Sequence, residues 1–324
     1  MIEARNLTKQ FDAFMAVRDL SLTVRKGELL ALLGPNGAGK TTTVRMLSAI
    51  LKPTSGHVRI NGFDVVTQAD QVRRSIGMLT EQPGLYSRMS GLEYLIFYGR
   101  LYGMTDADIK ARGLSLFDRF AMPNTAHRRL GEYSKGMRQK VGIIRAMLHD
   151  PAVLLLDEPT SAMDPHSARL VRDAINELRQ DKRAIILCTH NLAEAETLAD
   201  RMAIIRQGEI VAYGAIPQLK QQLLGQPLLE LRLDRSPNGQ IPALSDLITI
   251  EAVSDRGLRF RTDDPERTNP RVVRRLMELG LGVVSLREVS QSLEEVYLRV
   301  IQQVDGRQTT GNGQQGTGNE NDDA

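Results

Sequence analysis

The chain has 324 residues, 41% of them hydrophobic and 25% charged, enough apolar material for a sizeable core and too much for a wholly disordered polymer. Its 42 Lys and Arg against 39 Asp and Glu leave a net charge of +3, and aromatics are only 4% with no Trp, so neither charge nor base-stacking capacity points to nucleic acid. No apolar run exceeds five residues, against the roughly 20 that cross a bilayer, so the chain is expected to stay out of the membrane's interior. The opening segment MIEARNLTKQF lacks the apolar stretch of a secretory signal. The single cysteine, Cys188, cannot form an intrachain disulfide and lies in an apolar run, which reads as a small buried hydrophobe in a reducing compartment. Five histidines scattered without ligand spacing argue against a zinc site.

Residues 1 to about 216 alternate short apolar runs with helix-period segments, the pattern of parallel strands joined by crossover helices. Strands are predicted over 29–33, 153–156, 184–189 and 202–205. Their unbroken apolar character is that of a sheet covered on both faces. Between about 84 and 150 the period turns helical, with helices predicted over 91–102, 106–120 and 134–149, a block that reads as a helical subdomain inserted into the α/β core. From 217 to 304 the texture changes. Strands over 228–233, 247–253, 258–261 and 283–289, with helices over 270–279 and 292–302, predict a small C-terminal α+β module. Residues 305–324 have one apolar side chain, Ala324, and read as a disordered tail. There is no internal repeat.

Gly34-Pro35-Asn36-Gly37-Ala38-Gly39-Lys40-Thr41 fits the phosphate-loop pattern GxxxxGK[ST], directly after a predicted strand and before a helical run that opens at Thr42. The glycines let backbone N–H groups converge on phosphate oxygens, and the helix N-terminus adds its dipole. Lys40 is the expected partner of the β- and γ-phosphates, and the Thr41 hydroxyl the expected ligand of Mg²⁺. A phosphate loop needs a second acidic element. Asp157 and Glu158 supply it at the end of the strand over 153–156: Asp157 beside the metal, Glu158 as the base that polarises water. His190 ends the strand over 184–189, where doubly wound sheets place ligand groups, and is a candidate γ-phosphate contact.

The order of these elements resembles the ATP-binding subunits of ABC transporters. Tyr133-Ser134-Lys135-Gly136-Met137-Arg138-Gln139-Lys140 is similar to that family's signature segment, Ser161-Ala162-Met163-Asp164 to its D-loop (with Met163 where leucine is usual), and His190 to its switch histidine. The resemblance covers residues 1 to about 216. It implies a P-loop NTPase core with an inserted helical subdomain, ATP and Mg²⁺ as cofactors, and hydrolysis in a head-to-tail dimer. ATP would then lie between the loop from Gly34 to Thr42 of one subunit and Ser134 and Gly136 of the other. Phe11 resembles the aromatic that stacks on adenine, although it is equally plausible as core. Glu81 occupies the slot where a glutamine contacting the metal is usual and Gln82 follows it, so both are candidate metal contacts. Partners implied are a second copy or a related ATPase subunit, and a separate membrane permease, which would hold the chain peripherally at the cytoplasmic face. The signature YSKGMRQK and the ending Ser292-Leu-Glu-Glu-Val-Tyr297 are similar to the narrower group of ABC-2 class, daunorubicin-type exporter ATPases. The alternative is a soluble ABC protein acting on ribosomes or nucleic acid. A single phosphate loop and the lack of a heptad run speak against it.

Overall fold

The computed structural model describes residues 1–161, 163–179, 181–237, 241–289 and 292–300. The chain divides into two compact units, Met1–Ile216 and the residues from Pro217 onward. The first opens with strands β1 (Ile2–Phe11), β2 (Phe14–Val24) and β3 (Leu29–Leu33), then helix α1 (Lys40–Leu47). Next come β4 (Ser55–Ile60), β5 (Phe63–Asp64), α2 (Ala69–Ser75) and β6 (Ile76–Leu79). A helical block follows: α3 (Gly91–Leu101), α4 (Asp106–Arg119) and α5 (Lys135–Met147). The unit closes through β7 (Val153–Asp157), α6 (Pro165–Arg179), β8 (Ala184–Thr189), α7 (Leu192–Leu198), β9 (Arg201–Arg206) and β10 (Glu209–Ala215).

Six strands form the central sheet in the order β10-β9-β3-β8-β7-β6. All neighbours are parallel except the hairpin of β9 and β10. Every residue of β3, β7 and β8 is buried, as expected for strands covered on both faces. Register decides where the chemistry falls. Leu33 pairs with Thr189 and Asp157 with Cys188, so the C-terminal ends of β3, β8 and β7 lie side by side. In an open α/β sheet these ends, where strand order reverses, are where ligands bind.

A second sheet, antiparallel in the order β2-β1-β4-β5, is not among the strands predicted from unbroken apolar runs. Its strands are covered on one face, so buried Ile2, Ala4 and Leu7 are separated by exposed Arg5 and half-buried Glu3. Register shifts beside Asn6 and Asp19, both in the left-handed region, break the alternation further. The helices of the inserted block carry their own start signals. Ser90 and Glu93 form a reciprocal capping box on α3, while Thr105 caps α4 and Ser134 caps α5. Tyr94, Phe117 and Phe120 from this block pack with Leu79, Leu154 and Leu156 of the sheet in one core.

Helix α8 (Ile216–Leu224) starts at the last residue of the first unit, and the second unit continues with β11 (Leu228–Leu233), β12 (Thr249–Ser254), β13 (Gly257–Arg261), α9 (Pro265–Glu278) and β14 (Val283–Glu288). Its strands form an antiparallel sheet in the order β12-β13-β11-β14. Leu229, Leu231, Leu258 and Phe260 on one face pack against Val272 and Leu276 of α9. That helix begins five residues before the expected Pro270, because Asp264 caps it by accepting from the Arg267 N–H at 3.0 Å and Pro265 suits the first turn. Residues 293–300 are helical. The 301–302 end of that expected helix, and the expected tail over 305–324, lie outside the described residues.

Candidate active site

The loop between β3 and α1 wraps one cleft wall. Gly37 (φ +80°) and Gly39 (φ +108°) adopt backbone conformations that L side chains rarely take. A Cβ on Gly39 would meet the Ala16 carbonyl oxygen at 2.7 Å, so the backbone runs where no side chain fits. Thr43 ties the helix start down by donating through both N–H and Oγ1 to the Gly39 carbonyl, each at 2.9 Å. Lys40 is buried, and its Nζ donates to the carbonyls of Gly34 at 2.6 Å and Pro35 at 3.2 Å.

The opposite wall comes from the ends of β7 and β8. Asp157 Oδ2 accepts from Thr41 Oγ1 at 3.2 Å, bringing a hydroxyl and a carboxylate together across the cleft. Burial pushes the Asp157 carboxyl up from its ordinary range; Thr41 and Lys40 pull it down, whereas Glu158 and Glu81 push it further up. Glu158 follows with φ +50°, rare for a residue with a side chain, and its N–H donates to the Cys188 carbonyl at 2.9 Å. That twist aims Glu158 Oε1 at His190 Nδ1, 2.9 Å away, and at Lys40 Nζ, 3.8 Å away. A carboxylate oxygen accepts, so the contact is a hydrogen bond in the tautomer whose Nδ1–H donates to Glu158 Oε1. The cleft is lined by Lys40, Thr41, Asp157, Glu158 and His190, together with Glu81 and Phe14. Cations and backbone donors on one side therefore face a metal-binding or proton-accepting set on the other. Ser134 and Gly136 line a different cleft, beside Met122, Met137, Lys140 and Ser167, which shares no lining residue with the first.

The ABC transporter family model matches residues 17–161. The chain is 44% identical over 205 residues to the ABC transporter ATP-binding protein NatA of Bacillus subtilis (strain 168), covering 63% of this chain and 83% of that protein. It is 37% identical over 302 residues to the daunorubicin/doxorubicin resistance ATP-binding protein DrrA of Streptomyces peucetius, covering 92% and 91%. The chain belongs to the ATP-binding subunits of ABC transporters. A solved structure of an ATP binding subunit of an ABC transporter, 30% identical, superposes with a TM-score of 0.63 over 69% of this chain and 94% of that one. The fold is thus the α/β P-loop cassette with its helical insertion, the cofactor is ATP, and the activity is ATP hydrolysis. The alternative of a soluble ABC protein on ribosomes or nucleic acid is not favoured, since these relatives are transporter components.

Within this cassette, Pro35, Asn36, Gly37, Gly39, Lys40, Thr41 and Thr42 face the cleft. Gly34 and Ala38 do not line it. A Cβ on Gly34 would meet the Ile205 carbonyl oxygen at 2.4 Å, and Ala38 is buried, so both shape the loop from behind. Of the two candidates after β6, Glu81 lines the cleft and Gln82 does not. Phe11 pairs with Phe14 across the turn of the β1–β2 hairpin, and Phe14 is the one on the cleft wall, while Phe11 lies under the Lys9 ammonium at 4.9 Å. Gly136 packs closely, since a Cβ there would come within 3.1 Å of the Ser167 side chain, which would have to give by a few tenths of an ångström. Arg145 escaped sequence reasoning. Its guanidinium donates to the carbonyls of Pro83 (2.9 Å) and Met78 (3.1 Å) and to the Tyr94 hydroxyl (2.9 Å), gripping both ends of the segment that carries Glu81. The signal available was an arginine in the apolar run Val141-Gly-Ile-Ile-Arg145-Ala-Met.

Proposed function

We propose that this ATPase subunit works in a head-to-tail dimer, with a second copy or a related subunit, and drives a separate membrane permease as an exporter motor at the cytoplasmic face of the membrane. What supports the dimer is the separation of the two anion-suited elements. Lys40 and Ser134 line clefts with no residue in common, so a triphosphate on one is completed by the other element of a second subunit. The exporter reading rests on similarity over nearly the whole chain to a drug-resistance ATP-binding protein. The unit from Pro217 onward is the accessory α+β module of this assembly. None of the described helices is long and apolar enough to cross a membrane.

In this mechanism the observation that matters most is the placing of Glu158 between His190 and Lys40. Incoming phosphates draw Lys40 Nζ away from the Gly34 and Pro35 carbonyls, replacing two neutral acceptors by charged ones. Glu158 takes the proton of the attacking water, and His190 keeps that carboxylate oriented and faces the γ-phosphate. Thr41, Asp157 and Glu81 would hold Mg²⁺. Their donors are all oxygen and too few for a protein-only cage, which fits an ion that keeps waters and phosphate oxygens as its other ligands. The ion supplies charge neutralisation for the transferred phosphoryl group. Ser134 and Gly136 present the N-terminus of α5 to the triphosphate held by the other subunit.

Glu158→Gln keeps shape and removes the base. Steady-state hydrolysis should fall by about 10²–10⁴-fold, with ATP binding by equilibrium titration unchanged. Normal turnover would remove Glu158 from this role.

A further inference from the structure

Glu194 sits in the first turn of α7, 1% exposed, outside the groups that meet phosphate or metal. Its Oε1 accepts from Thr160 Oγ1 at 2.7 Å, while Oε2 has no hydrogen-bond partner among the described residues. Burial pushes this carboxyl up from its ordinary range. The hydroxyls of Thr189 and Thr160 and the charge of Arg172 pull it down, and the neighbouring Glu158 pushes it further up. A buried acid with an empty acceptor is a poor stabiliser, because an apolar side chain of similar volume avoids the desolvation altogether. Its presence at this buried position points to something the carboxyl holds.

What it holds are the two loops that carry the reacting pair. Thr160 lies two residues beyond Glu158, and Thr189 one residue before His190. Thr189 Oγ1 accepts from the Asn191 N–H at 3.0 Å, and Asn191 caps α7 by accepting from the Glu194 N–H at 3.1 Å. One tie between the loops is on the cleft side, Glu158 to His190. The second lies beneath it, from Thr160 through Glu194 to the start of α7. Glu158 needs such a tie, since a left-handed backbone is strained for a residue with a side chain and persists only where its surroundings over-determine it.

We infer that Glu194 is a positioning residue: by anchoring Thr160 it keeps the turn at Glu158 wound left-handed, and so keeps the base facing His190 and the water it activates. This rests on the assignment of Glu158 as base. Gln preserves the acceptor for the Thr160 hydroxyl, whereas Leu removes it, and Thr160→Val removes the donor with little change of volume. Purified full-length variants are compared for kcat and, by equilibrium titration, for ATP affinity.

Glu194→Leu and Thr160→Val should each lower kcat about tenfold or more, since small misplacements of a reacting group cost up to about a hundredfold, with ATP affinity within about twofold. Glu194→Gln should return kcat to within about threefold of the starting protein, and the double variant should be no slower than Glu194→Leu, as for two ends of one contact. The inference is overturned if Thr160→Val keeps full kcat, if Glu194→Gln falls as far as Glu194→Leu, or if the two losses multiply. Should Glu194→Leu not fold, Thr160→Val and Glu194→Gln decide alone. Failure of the underlying assignment looks different, because Glu158→Gln would then hydrolyse ATP normally.

Discussion

Gly39 and Gly37 share one loop and one sign of φ, yet they answer to different constraints. At Gly39 a Cβ would run into the Ala16 carbonyl oxygen at 2.7 Å, while at Gly37 it would meet nothing within 4 Å. Gly37→Ala therefore carries only backbone strain, about 1 kcal/mol. Gly39→Ala adds a clash with backbone that cannot move without opening the loop. Thermal melts should show the larger loss for Gly39→Ala, and nucleotide titration should show it binding ATP at least tenfold more weakly than Gly37→Ala. Equal losses at the two positions would mean that close approach is not what the loop needs. The same residue scale marks where sequence stops informing. The hairpin places Phe11 and Phe14 opposite each other, and only folded geometry puts Phe14 rather than Phe11 on the cleft wall. A family slot left Glu81 and Gln82 open for the same reason: adjacent side chains leave an irregular loop in different directions, with no period to read.

At the scale of elements, α5 links two distant duties. Ser134 caps its start by accepting from the Met137 N–H at 3.2 Å, and Arg145, eleven residues and about 16 Å further along the axis, grips the segment from Met78 to Pro83. Burial pushes the Tyr94 hydroxyl up to about 12 against the pull of Arg145, so it keeps its proton, and it donates to the Pro83 carbonyl at 3.3 Å. The Tyr98 ring lies 5.0 Å from the guanidinium. Removing the guanidinium strips partners from part-buried carbonyls, each worth about 1–3 kcal/mol when left unpaired, and frees the segment that carries Glu81. Arg145→Ala should lower both melting temperature and kcat. Arg145→Lys should recover part of the stability but little of kcat, because an ammonium cannot reach three acceptors in fork geometry. A kcat unaffected by Arg145→Ala would show that Glu81 is placed without α5.

For the whole molecule, legibility followed burial. Strands β3, β7 and β8 are covered on both faces, so their sequence is a plain apolar run, and the chemistry hangs on their ends where motifs are easiest to see. The sheet of β1, β2, β4 and β5 is covered on one face and interrupted by bulges, so its alternation was too broken to read. Lys40, Asp157, Glu158 and His190, which line one cleft, were legible because each ends or follows such a strand, or opens the helix after it. Glu194 and Arg145 act from helices one layer back, where a charged residue among apolar ones is the only trace. The proposed dimer follows from the Ser134 cleft and the Lys40 cleft having no lining residue in common. Its most direct test is the mass of the Glu158→Gln chain by sedimentation, with ATP and Mg²⁺ against ADP and Mg²⁺. With ATP the mass should rise from 36.0 kDa to about twice that value, and with ADP it should not. A chain that binds ATP yet stays at 36.0 kDa at every concentration, with or without its permease and a related subunit, would contradict a site shared between two subunits.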